Sequence, residues 1–160
     1  MKKENFLWNA VKTGLLGGAI ALFICLIGMV EVFSKRDVIE KIMTLGQFVL
    51  LATAVSMGFI ASRRTSSLFN QNKPVFNLTA GLIAGLFTGL LIALFVIAGD
   101  KINIRAVFLN ASPALYKLLT FGKGLDGVWL LPALGAAAGL IGSSFLLLPK
   151  NVRRPITNAL

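Results

Sequence analysis

Apolar residues run along this chain in four long blocks, with the ionised residues confined to the segments between them. No Asp, Glu, Lys or Arg occurs in Thr13–Val30, Ile42–Ser62, Pro74–Gly99 or Gly127–Pro149, windows of 18, 21, 26 and 23 residues. A helix needs about 20 apolar residues to cross the hydrocarbon core of a bilayer, so each window predicts a transmembrane helix. The spans are placed at 13–33, 42–61, 77–98 and 128–148, in one domain over 1–160. The expected fold is all-α, an integral membrane four-helix bundle. The first block follows Met1-Lys2-Lys3, but its apolar run from Leu15 to Phe33 exceeds the h-region of a signal peptide and predicts a retained helix.

The connections differ in kind. Ser34–Lys41 predicts a short mixed-charge turn, and Ser62–Phe76 a polar, basic loop suited to lipid headgroups. The stretch 99–127 is longest and predicts a short helix of its own. Ser112 suits its N-cap, Pro113 its first position and Gly122 its end. Leu115, Leu118 and Leu119 then share one face, with Lys117 and Thr120 elsewhere, as expected for a helix in the outer interface or tucked over the bundle. Pro132 falls in the first turn of the last span, and Pro149 marks its end.

Composition sharpens this picture. The chain is 56% hydrophobic and 14% charged, against roughly 25% charged in an average soluble protein. There is no histidine and one cysteine, Cys25, which excludes an internal disulfide, a Cys/His zinc site and His-dependent catalysis. No ionised residue sits at mid-span, which argues against a proton relay or voltage sensor. Carboxylate chemistry would have to use Glu31, Asp37, Glu40, Asp100 or Asp126, all near span ends. The reading is therefore of a protein that is not an enzyme and holds no cofactor or metal.

Net charge is +10. Its basic residues cluster beside apolar spans, as cytoplasmic anchors do, so nucleic acid is not an expected partner and the lipid bilayer is. Four spans put both termini on one side. That side carries Lys2, Lys3, Lys12, Arg63, Arg64, Lys73, Lys150, Arg153 and Arg154 with Glu4, nine basic residues in tight clusters against seven on the other side, which predicts both termini cytoplasmic. Arg63, Arg64, Lys150, Arg153 and Arg154 are the orienting residues.

Between lipid-embedded helices, association depends on close backbone approach. The third span offers Gly81, Gly85 and Gly89 at spacing four, the fourth Gly135 and Gly139 with Gly142 and Ser143 nearby, and the first Gly14, Gly17 and Gly18. These predict the packing faces. Thr53, Ser56, Thr88, Ser143 and Ser144 are expected to bond carbonyls of their own helices. Gln47 is expected to join elements across the bundle. Gly122-Lys-Gly124 lacks the spacing of a phosphate-binding loop.

From Ile104 to Ile156 the chain resembles the N-terminal extension of bacterial ABC transporter permeases of the branched-chain amino acid type. The resemblance lies in the N-x-S-P turn into L-x-x-L-L-T-F-G (Asn110–Gly122), the Gly/Ala-rich span after it, and the Leu-Pro-x-x-Val-Arg-Arg-Pro exit (Leu148–Pro155). It implies a bacterial cytoplasmic-membrane module, with the remainder of a permease, its ATPase and a solute-binding protein as partners. Complete permeases of this type are much longer, so the expected role is to support the translocation core, with no substrate-binding residue carried onto this chain. The alternative is a free-standing tetraspan protein with a structural or assembly role.

Overall fold

The computed structural model describes residues 2–34, 36–39, 43–69, 74–102, 104, 108 and 111–147. It is an all-α bundle. Helices α1 (Lys2–Leu26), α3 (Leu45–Phe69), α4 (Pro74–Lys101) and α6 (Leu130–Ser144) form its body. Short helix α2 (Met29–Phe33) follows α1. Strands β1 (Asp37–Ile39) and β2 (Met43–Thr44) then pair antiparallel before α3, with an irregular register of Asp37 opposite Thr44 and Ile39 opposite Met43. Helix α5 (Pro113–Leu119) and a 3₁₀ turn (Gly124–Trp129) precede α6, and a second 3₁₀ turn (Phe145–Leu147) ends the described chain. Four segments, Phe6–Leu26, Leu45–Ser67, Pro74–Lys101 and Gly124–Leu147, are long and apolar enough to cross a membrane, the architecture of a multi-pass membrane protein.

Helices α3 and α4 pack together at the centre, with α1 and α6 on opposite sides of that pair. Helix α1 runs parallel to α4, so that Gly14 lies at Ala84 and Gly18 at Leu91. Helix α6 runs antiparallel to α4, with Gly81 beside Ser143 and Gly89 beside Pro132. One end of the bundle therefore gathers Phe6, Arg64, Asn77 and Ser143, the basic end. The other gathers α2, the hairpin, α5 and the 3₁₀ turn, the cap end.

Beyond Phe6, which packs edge-to-face on Phe76, the inner face of α1 is built of small side chains. Phe6, Ala10, Thr13, Gly14, Gly17, Gly18, Ala21 and Cys25 are buried, at helical spacing. Leu7, Trp8, Leu15, Leu16, Ile20 and Phe23 are exposed. Lipid tails are as apolar as leucine, so hydrophobicity cannot choose the inner face, whereas small residues let backbones come together.

The helix ends depart from the expected spans for local reasons. Gly28, at φ 82°, takes the left-handed conformation that separates α1 from α2, so the first span is broken. The second starts at Leu45, after the hairpin, because Thr44 and Gln47 form a reciprocal cap: the Thr44 amide donates to Gln47 Oε1 at 3.0 Å and the Gln47 amide to Thr44 Oγ1 at 3.3 Å. The expected loop Ser62–Phe76 is corrected to mostly helix, since α3 continues to Phe69 and α4 begins at Pro74. Ser62 faces inward there and donates to the Asn77 carbonyl at 2.6 Å. Pro149 lies outside the described residues.

Candidate functional site: a glycine seam and a cap

Gly81, Gly85, Gly89, Gly135 and Gly139 lie along one line between α4 and α6. A Cβ added at Gly85 would fall on the Gly135 carbonyl and come within 2.9 Å of Gly139 Cα. One at Gly139 would fall on the Gly81 carbonyl and come within 2.9 Å of Gly85 Cα. One at Gly135 would reach Gly89 Cα at 3.1 Å, and one at Gly89 would meet the Leu131 carbonyl and Pro132 Cα. Contacts of this kind are backbone against backbone, so no rotamer change can relieve them.

The seam also extends to α3, through residues the sequence reading did not pair. Gly58 faces the backbone of Gly139, and Gly142 faces the Val55 carbonyl. Gly58 has no glycine at spacing four; the small residues at that spacing, Ala54 and Ser62, are the signal that could have marked it. Farther across, a Cβ on Gly17 would approach Met57 Cγ of α3 at 2.5 Å and Thr88 Oγ1 of α4 at 2.7 Å. Three helices thus meet at Gly17. Thr88 is fully buried and its hydroxyl lies 2.9 Å from the Ala84 carbonyl and 3.0 Å from that of Gly14. It bonds its own helix and reaches a neighbour as well. Thr53, Ser56, Ser143 and Ser144 donate to carbonyls three or four residues back.

Inside the bundle a cavity of about 40 Å³ lies among Leu50, Ala54, Ile92, Leu119, Leu131 and Leu134, with Gln47 and Thr88 at its polar margin. That is room for little more than a water molecule.

At the cap end the arrangement changes. Ser112 accepts from the Leu115 amide at 3.1 Å as the N-cap of α5, with Pro113 inside the first turn. The Ser112 hydroxyl also donates to Glu31 Oε2 at 3.1 Å, which joins α5 to α2. Gln47 Nε2 donates to the Leu118 carbonyl at 2.9 Å, joining α5 to α3. Leu115 and Leu119 are buried among Val30, Val96, Val128 and Leu131, while Lys117 is exposed. Thr120 is a correction: expected off the packed face, it is buried and donates to the Tyr116 carbonyl at 2.9 Å, closing the last turn. Gly122 ends the helix at φ 74°, its amide donating to the Lys117 carbonyl.

The remaining acids are dispersed. Asp100 pairs with Lys101 at 3.4 Å on the surface, and Asp126 is exposed in the 3₁₀ turn. Among the described residues no group of three or more His, Cys, Asp or Glu could hold a metal ion. Of the orienting residues, Arg63 and Arg64 are exposed on α3. Arg64 Nη1 lies 3.5 Å from Thr13 Oγ1, and Lys12 Nζ sits 5.1 Å from the centre of the Trp8 ring, a cation–π contact. Lys150, Arg153 and Arg154 lie outside the described residues.

Comparison with known families, curated proteins and solved structures gives no match to this chain.

Proposed function

We propose that the chain is a membrane-embedded module of a bacterial ABC transporter permease for branched-chain amino acids or similar solutes, and that it supports the translocation core without conducting solute itself. The permease assignment draws on the resemblance over Ile104–Ile156. The supporting role draws on one observation: α3, α4 and α6 meet through Gly58, Gly81, Gly85, Gly135 and Gly139 with their backbones in contact. A solute path needs width and polar lining, and this interior offers about 40 Å³ of almost wholly apolar space. Lys12, Arg63 and Arg64 share the basic end, which favours that end on the cytoplasmic side of the bacterial inner membrane, with both termini there. The reading assigns the chain no catalysis.

The test is affinity purification from membranes of the source organism in mild detergent, with the captured subunits quantified by mass spectrometry. A permease core, an ABC ATPase and a solute-binding protein are expected in fixed proportion to the chain. In liposomes containing the purified chain alone, uptake of labelled leucine should not exceed that of empty vesicles. Purification of the chain free of any ATPase would overturn the reading in favour of a free-standing tetraspan protein.

A further inference from the structure

A second cavity opens at the cap end, between the last turns of α4 and the α5 region, with a volume of about 520 Å³. Sites for small molecules and headgroups span roughly 300–1,000 Å³ and combine apolar walls with a few placed polar groups. This one fits both criteria. Val96, Ile102 and Leu125 contribute apolar wall, and Asp100 and Lys117 bring an acid and a base from two separate elements.

Two features point to the occupant. Asp100 and Lys117 offer opposite charges to a single ligand. The Asp100–Lys101 pair does not preclude this, because both partners are well exposed and such pairs are weak. Finally, Ile102 and Leu125 line the cavity yet are 64% and 52% exposed, so its apolar wall continues onto the outer surface beside the end of a membrane span. A ligand with a zwitterionic head and an apolar tail uses all of this, whereas a free zwitterion would leave the exposed apolar wall unused.

We propose that this cavity binds the headgroup of an aminophospholipid of the phosphatidylethanolamine type. Its ammonium pairs with Asp100, its phosphate with Lys117, and its acyl chains leave across Ile102 and Leu125. The proposal does not depend on the permease assignment.

The full chain, purified in detergent, is titrated with phosphatidylethanolamine, phosphatidylcholine and phosphatidylglycerol of identical acyl chains, and with soluble phosphoethanolamine. Binding is read by native mass spectrometry and by thermal shift. Phosphatidylethanolamine should be retained about tenfold more tightly than phosphatidylcholine, which lacks the N–H donors for Asp100. Asp100→Asn should abolish that preference, and Lys117→Gln should weaken phosphatidylethanolamine and phosphatidylglycerol alike. Both side chains are exposed, so neither change threatens the fold. Equal retention of all three lipids, or unchanged preference in Asp100→Asn, would mean annular lipid only and sink the proposal. Phosphoethanolamine binding as tightly as the lipid would assign the cavity to a soluble zwitterion and overturn the lipid as its occupant.

Discussion

Along the seam Gly85 and Gly139 bring α4 and α6 together by having no side chain, whereas at the cap end Leu115 and Leu119 hold α5 in place by filling space. The contrast follows from the solvent at each level. Within the hydrocarbon a large apolar side chain gains little by turning inward, so dispersion between close backbones does most of the work. Near water the same leucine gains by burial, and polar groups can be paired one by one, as Ser112–Glu31 and Gln47–Leu118 are. A substitution in the seam should therefore disturb the whole bundle, and one in the cap should remain local.

Gly85→Leu tests the first half and carries the largest expected effect. Its side chain would have to displace the Gly135 carbonyl and Gly139 Cα, which belong to a second helix also pressed against α3. Overpacking of this kind costs about 3 kcal/mol, at the upper end of its usual range. The melting temperature in detergent should fall sharply, with aggregation or altered elution on size exclusion. An unchanged melting temperature together with an unchanged elution volume would remove the seam from the comparison.

How much of this was legible in the chain follows the same division. The four spans could be placed because ionised residues cannot be left in hydrocarbon, and that constraint shows in composition alone. The glycines of the third and fourth spans could be named because spacing four puts them on one helical face. Their partner Gly58 was missed because it has no glycine at spacing four, only the small residues Ala54 and Ser62, and its role comes from the α3–α6 crossing. Ser112-Pro113 and Gly122 marked α5 through local backbone chemistry. The hairpin before α3 was missed because five residues of strand leave no alternating pattern to detect, although Thr44 and Gln47, three apart, carried the capping signal. Helix α3 outran its expected span, 42–61, because Ser62 and Thr65 are buried through hydrogen bonds, and hydropathy counts them as loop. The cap cavity was invisible for a different reason: Asp100 and Lys117 stand far apart in sequence, and only the tertiary fold puts both on the wall of one cavity.

A cap substitution of intermediate size is Leu115→Ala. Leu115 is fully buried, and its truncation should cost about 2 kcal/mol, reduced if the neighbouring valines close the gap. Amide hydrogen exchange should accelerate over 113–129, with 80–96 of α4 and 131–143 of α6 unchanged. Acceleration spreading along the seam would show that the cap and the bundle open as one unit.

Ser112→Ala and substitutions at Glu31 have the smallest expected effects and together separate the two hydrogen-bonding roles of Ser112. Ser112→Ala removes the acceptor for the Leu115 amide and the donor to Glu31 together, a loss of about 1 kcal/mol for an N-cap. Glu31→Gln keeps an acceptor oxygen facing Ser112 and leaves the cap itself intact, so it should cost only a fraction of that. Glu31→Ala removes the tie to α2 alone. If the Ser112 hydroxyl both caps α5 and holds it to α2, Ser112→Ala should exceed Glu31→Ala, and the double variant should cost less than the two singles added together. Full additivity would mean that Glu31 acts independently of Ser112, leaving Gln47 as the hydrogen bond that ties α5 to the bundle.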